Sequence, residues 1–254
     1  MIRSLYTAVS GMIATENKQN TVVNNMTNAN TIGFKADNLV TKSFDDVLIK
    51  NQQRVSKGTY TTHRIGKMSL GVAIDDVVTR FEQGDLKQTE SKSNFAINGN
   101  GFFTIQTQNG VKYTRDGQFS VNNQGNLINS SGDLVLGINN AGALAPINVG
   151  NSDYVLDANN NIVINGQVTQ KLAIADFADY SKLGKVGDNY YEAQEQPTYI
   201  QADVRQGFLE TSNVNILNEM VDMISVMRNF ETNQKFVTMI DESLGKAANE
   251  IGKV

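Results

Sequence analysis

Apolar positions recur at steps of four and three along both ends of the chain. Near the start they are Leu5, Val9, Met12, Val23 and Met26, with polar Glu16 and Gln19 in the intervening places of the stripe. Toward the end they are Ile216, Met220, Met223, Met227, Phe230, Val237 and Leu244, with Gln234 and Asp241 in step. A period of about 3.5 residues belongs to a helix whose apolar seam faces another helix. Leu217, Val221 and Ile224 form a second stripe that widens the apolar face of the later segment. Helices are therefore expected over 1–30 and 213–254, the second preceded by the candidate caps Ser212, Asn213 and Asn215. Such a stripe is ordinarily the core side of a globular helix. Here the two helices sit at opposite ends of the chain and carry more apolar surface than one antiparallel pair covers, which points to packing against further subunits.

Between residues 70 and 212 the pattern changes to short runs with period two. Phe103 and Ile105, Tyr113, and Phe119 with Val121 alternate with polar residues as half-buried strands do. Asn98-Gly99, Asn100-Gly101, Asn109-Gly110 and Asp116-Gly117 punctuate them, and such pairs favour hairpins because both residues tolerate positive φ. Residues 31–69 fit neither pattern and read as an extended connector, ordered only in company. The fold class expected is α+β, with long terminal helices around a β-rich central domain of short antiparallel strands.

Composition narrows the function more than the fold. A net charge of −4 gives no basic footprint for nucleic acid. Zero Cys excludes a disulfide framework and any thiolate metal site. No apolar run approaches the roughly 18 residues needed to cross a membrane, so no stable membrane insertion is expected. The first residues lack a cleavage site after an apolar core and read as mature protein.

Candidate chemistry does not converge. His63 is the single histidine and stands in the polar connector. Gly99-Asn100-Gly101 opens like a dinucleotide fingerprint, but Thr104 occupies the place of the third glycine. Asp157, Asn159 and Asn161 open like a calcium loop, but Ile162 stands where its glycine belongs and Val168 where its glutamate belongs. These stretches read as turns. No catalytic, cofactor-binding or metal-binding residue is assigned, and no cofactor is expected.

"SLYTAVSGM" followed by "NNMTNANTIGFK", and "QGFLETSNVNILNEMVDMISVMRNFETNQK" near the end, resemble the two terminal signatures of bacterial flagellar rod and hook proteins. "AINGNGFF" and "YTRDGQFSVNNQGNLINSSGDLVLG" resemble their β-rich middle. The motif positions here are Asn24, Asn25, Asn28, Asn30, Gly33, Phe34, Gly207, Glu210, Ser212 and Asn213. The resemblance implies a non-enzymatic subunit of a tubular helical homopolymer in the basal body, outside the cytoplasmic membrane. It also implies export through the flagellar export apparatus without signal cleavage, contacts with other rod and hook proteins, and terminal helices that become a coiled-coil core on assembly. Gly33 is then expected to end the first helix in a left-handed turn, with Phe34 anchoring the connector. The chain start looks closer to the distal rod type and the chain end to the proximal type; the distal rod is the expected member, with a proximal rod or hook-type axial protein as the alternative. From the residues alone, a monomeric β-rich binding module with helical ends stays open beside the polymer subunit.

Overall fold

The computed structural model describes residues 2–56, 59–139, 142–150, 152–187 and 189–251. Met1 and residues 252–254 of the expected terminal helices lie outside these. The fold is α+β, and the chain divides into two compact units.

The first unit contains residues 1–26, 37–78 and 216–254. Its helices are α1 (Ile2–Thr27) and α2 (Ile216–Lys246), the latter running into a π-helical turn at Ala247–Ile251. Two contacts fix their relation. Asn25 Nδ2 donates to Glu219 Oε1 at 3.3 Å, and a Cβ built on Gly11 would stand 3.1 Å from Asn233 Nδ2. Position rises along α1 as it falls along α2, so the helices run antiparallel. The same unit holds β1 (Asp37–Ser43), β2 (Val47–Ser56), β3 (Thr59–Met68) and β4 (Val72–Thr79). β1 pairs with β4, and β2 with β3 as an antiparallel hairpin from Val47↔Met68 to Ser56↔Thr59. Residues read from sequence as an extended connector thus form strands. Polar side chains on both faces, such as Asn51 opposite His63, hid the period-two signal.

The second unit contains residues 27–36 and 79–215. It begins with β5 (Leu86–Gln88), β6 (Phe95–Asn98), β7 (Phe102–Thr107) and β8 (Gly110–Thr114). β7 lies inside the largest sheet, between β8 and the strand Leu134–Ile138. Alternate side chains of a strand point to opposite faces, yet Phe102, Phe103, Thr104 and Ile105 are all buried. Each face is therefore covered by its own core. Phe103 joins Phe95, Ile97, Phe119, Leu127 and Ile174, whereas Phe102 joins Tyr113, Phe177, Leu183 and Tyr191. Phe81 and Tyr180 close the second cluster edge-on to Phe102, at 5.7 Å each. The stretch likened to a calcium loop is a turn, with Asp157 N donating to Asn161 O at 2.9 Å. Two short pairings draw the chain ends of this unit together: β6 with Asp203–Gln206, and β5 with Phe208–Glu210.

Candidate functional site

The two terminal motifs meet in the second unit around three buried charges. After α1 ends at Thr27, a turn closes with Thr31 N donating to Asn28 O at 3.1 Å. Gly33 does take the left-handed conformation, with φ of +67°, but it lies well beyond the helix end and caps nothing. Its N–H donates instead to Glu210 O at 2.8 Å. A Cβ there would lie 2.5 Å from the Arg115 carbonyl carbon and the Asp116 nitrogen, so only glycine satisfies both the φ and the approach. Phe34 is buried under the Lys185 ammonium, which stands 3.9 Å from its ring centroid.

Lys35 follows and is wholly buried. Its Nζ meets Glu210 Oε1 at 2.5 Å and donates to Glu82 O at 2.7 Å. Arg115 approaches the same carboxylate, with Nη1 3.4 Å from Glu210 Oε2, and donates through Nη2 to Gly99 O at 2.8 Å. Its guanidinium stacks 5.1 Å from the Phe102 ring centroid, which ties the cluster to the aromatic core. Gly84 N completes the carboxylate's partners at 3.0 Å. The side chains of Lys35, Glu210 and Arg115 are 0%, 1% and 3% exposed, so none of the three charges faces solvent. Burial pushes the Lys35 ammonium below its ordinary pKa, and the Glu210 carboxylate opposes that shift. The arrangement is a clamp between the two motifs.

Asn213 fastens the same junction. Its Oδ1 accepts Ala36 N at 2.8 Å, and its Nδ2 donates to Arg80 O at 2.8 Å and Glu82 O at 3.2 Å. Ser212 Oγ accepts Val214 N at 3.2 Å, as an ST turn rather than a helix cap. Gly207, with φ of +79°, donates to Asn94 O at 2.7 Å and so bends the chain between the two short pairings. In the first unit, Asn25 is buried and pairs both backbone groups of Asp37, at 2.8 and 3.0 Å. Asn24 and Asn30 are exposed and Asn28 half-buried. Lys35, Arg115 and Gly84 were not singled out as site residues in the sequence. The available signal was Lys35 as the one charge of the first motif, which it closes, and Glu210 as the one charge between residues 206 and 218.

The structure divides the apolar stripes. On α2, Met223, Phe230 and Val237 are half-buried and Val226 is buried, which marks the face covered within the unit. Ile216, Met220, Met227 and Leu244 are exposed, as are Leu217, Val221 and Ile224 at 69%, 66% and 52%. On α1, Leu5, Met12 and Met26 are half-buried, whereas Val9 and Val23 are exposed. Among the described residues no group of three or more His, Asp and Glu could hold a metal ion, and no helix is long and apolar enough to cross a membrane.

Comparison with known proteins agrees with this layout. The flagella basal body rod protein family matches residues 5–35, the flagellar hook protein FlgE/F/G D1 domain matches 96–175, and the flagellar basal body rod FlgEFG protein C-terminal matches 205–250. The chain is 35% identical to the flagellar basal-body rod protein FlgG of Buchnera aphidicola subsp. Baizongia pistaciae, over 97% of this chain and 98% of that one. It is 31% identical to FlgG of Bacillus subtilis, over 98% and 99%, and 30% identical to the rod protein FlgF of Caulobacter vibrioides over both full lengths. With both terminal signatures and the middle domain matched in order, the chain belongs to the family of bacterial flagellar basal-body rod proteins.

Proposed function

We propose that this rod subunit polymerises helically with copies of itself through its terminal helices, as the distal member of the rod between motor and hook. The observation that carries the reading is the bare apolar side of α2. Leu217, Met220, Val221, Ile224 and Met227 all stand exposed on a helix whose other side is already covered. A contiguous exposed apolar patch marks a contact surface, and a heterologous contact that does not close generates a filament. The packing residues are Val9 and Val23 on α1, and Ile216, Met220, Met227 and Leu244 with the Leu217 stripe on α2. Leu5, Met12, Met26, Met223, Phe230 and Val237 act at the junction of the covered and open sides. In the polymer the helices form a coiled-coil lining, and the subunit reaches its place outside the cytoplasmic membrane through the flagellar export apparatus. Similarity to FlgG proteins over nearly the whole chain favours the distal position.

Light scattering of the purified full chain over a concentration series tests the reading. Growth of particles well beyond a dimer, with tubes visible by electron microscopy, is the expected result. A monomer at every concentration would favour the isolated binding module instead.

A further inference from the structure

The largest sheet ends in a strand that has one neighbour. Tyr154–Leu156 pairs with Asn161–Ile164, and among the described residues no strand pairs along its other side. A row of unpaired N–H and C=O groups is a template for another chain, and natural edges carry charge, bulges or cover against that. At the opposite end of the sheet, Leu183–Val186 carries Lys185. Tyr154–Leu156 carries no charge of its own, and Asp153 beside it is offset by Lys92 at 3.2 Å. Its outward face is apolar as well. Val155 stands opposite Val163, which stands opposite Val168, and directly opposed residues share a face. Val155 and Val168 are 61% and 53% exposed, so a row of β-branched side chains runs from the edge into the sheet.

Gln206 occupies that edge. Its backbone is held by the pairing of Asp203–Gln206 with β6, where it stands opposite Phe95. Its side chain reaches the open strand. Oε1 accepts Leu156 N–H at 2.9 Å, while Nε2 donates to Tyr154 O at 3.3 Å and to Lys92 O at 2.8 Å. The C=O of one residue and the N–H two positions on are the groups that a single residue of a parallel neighbouring strand engages. The amide therefore stands in for one residue of a missing strand. The edge strand is three residues long, so filling its central position leaves no register in which a further strand could pair along it.

We propose that Gln206 is a specificity-determining residue for self-association: its amide caps the Tyr154–Leu156 edge and prevents the β-rich units of two copies from pairing edge to edge. The inference goes beyond the polymer reading and does not need it. Where helices do assemble, the cap keeps a competing contact closed. The excluded partner is a second copy, because every subunit presents the same edge and the same valine row, and like edges meet about a two-fold axis. A site that is closed most of the time binds with an affinity reduced by the fraction open, so removing the cap restores that affinity.

The test starts from the full chain carrying Leu217→Ala, Val221→Ala and Ile224→Ala, so that the α2 stripe contributes nothing to association. Gln206→Ala, Gln206→Glu and Gln206→Ala/Val155→Lys are added to it separately, and light scattering gives the concentration at which each associates. Gln206→Ala is expected to lower that concentration by about tenfold or more. Gln206→Glu keeps an acceptor for Leu156 N–H and puts a charge on the edge, so it should stay as dispersed as the parent although it loses both donated bonds. Val155→Lys, at an exposed position, should return the alanine variant to the parent's behaviour. Hydrogen exchange adds a readout in the unsubstituted chain, where the Leu156 amide should be protected, and should exchange faster in monomeric Gln206→Ala. An alanine variant that associates at no lower concentration than the parent overturns the cap. So does association that Val155→Lys leaves in place or that Gln206→Glu shares, since it then follows lost stability and not an open edge. A Leu156 amide that exchanges freely in the unsubstituted chain overturns it without any variant, which covers the case in which Gln206→Ala fails to fold. None of these outcomes bears on the polymer reading, whose own test is the growth of tubes.

Discussion

Replacing Glu210 by Ala is expected to lower the stability of the β-rich unit by about 3–5 kcal/mol, because two buried cations lose their shared counter-charge. Lys35 and Arg115 sit on opposite sides of this carboxylate and neither reaches water. Arg115 Nε already lacks a hydrogen-bond partner, so the guanidinium depends more heavily on the contacts it has. A loss of this size should lower the melting temperature by on the order of 10 °C. The pH dependence gives a second readout. Burial holds folded Lys35 below the ordinary value of 10.5, so the unfolded chain binds that proton more tightly and stability rises as pH climbs toward 10.5. Removing Glu210 takes away the influence that raises the Lys35 value, and the window widens downward. The variant should thus recover part of its deficit between neutral pH and about 10, measured by denaturant melts at several pH values. Adding Lys35→Met should restore part of the loss at neutral pH by removing one stranded charge. A Glu210→Ala variant as stable as wild type would mean that the three charges do not support one another.

Truncating Leu217, Val221 and Ile224 together to Ala should leave the monomer nearly unchanged and stop assembly. All three are more than half exposed, and surface substitutions away from special contacts usually fall within about 0.5 kcal/mol. Alanine also favours a helix over valine and isoleucine. In the polymer each side chain, if fully covered, contributes about 1.5–3 kcal/mol. Their joint loss weakens each subunit addition by on the order of a thousandfold or more, since about 1.4 kcal/mol is a factor of ten. The contrast is Met223→Ala with Phe230→Ala. Those residues belong partly to the covered side of α2, so this pair should first lower the melting temperature of the isolated chain. Sedimentation and thermal melts on both variants separate the two faces. A triple variant that assembles normally would remove the α2 stripe from the contact.

The elements whose signal is local were readable in advance. The heptad spacing of Met220, Met223, Met227 and Phe230 gives α2; Phe103 and Ile105 mark β7 as a strand, but it is buried on both faces rather than half-buried, because Phe102 and Thr104 between them are covered by the second core. What periodicity could not provide is which part of a stripe is spent inside the chain. Met223 and Met220 are equivalent in sequence, yet one is half-covered and the other exposed. The asparagine run was legible as a helix ending but not in its detail. α1 stops at Thr27, and Gly33 serves a backbone bond to Glu210 instead of a helix cap. Asn25 already spends its amide on Asp37 within the same unit. The clamp was out of reach for another reason. Lys35 and Glu210 are 175 positions apart, and nothing local tells a buried lysine from a solvated one. The ten residues before Asp37 also leave the helical unit for the β-rich one, a boundary set by tertiary pairing rather than composition.

The most direct test of the account is a helical reconstruction, by electron cryo-microscopy, of the tubular polymer grown from the purified full chain. Leu217, Val221 and Ile224 of each subunit are expected to be buried against helices of neighbouring subunits, with α1 and α2 lining the tube. A polymer in which these three side chains still face solvent, and in which the β-rich units alone make the contacts, would contradict it.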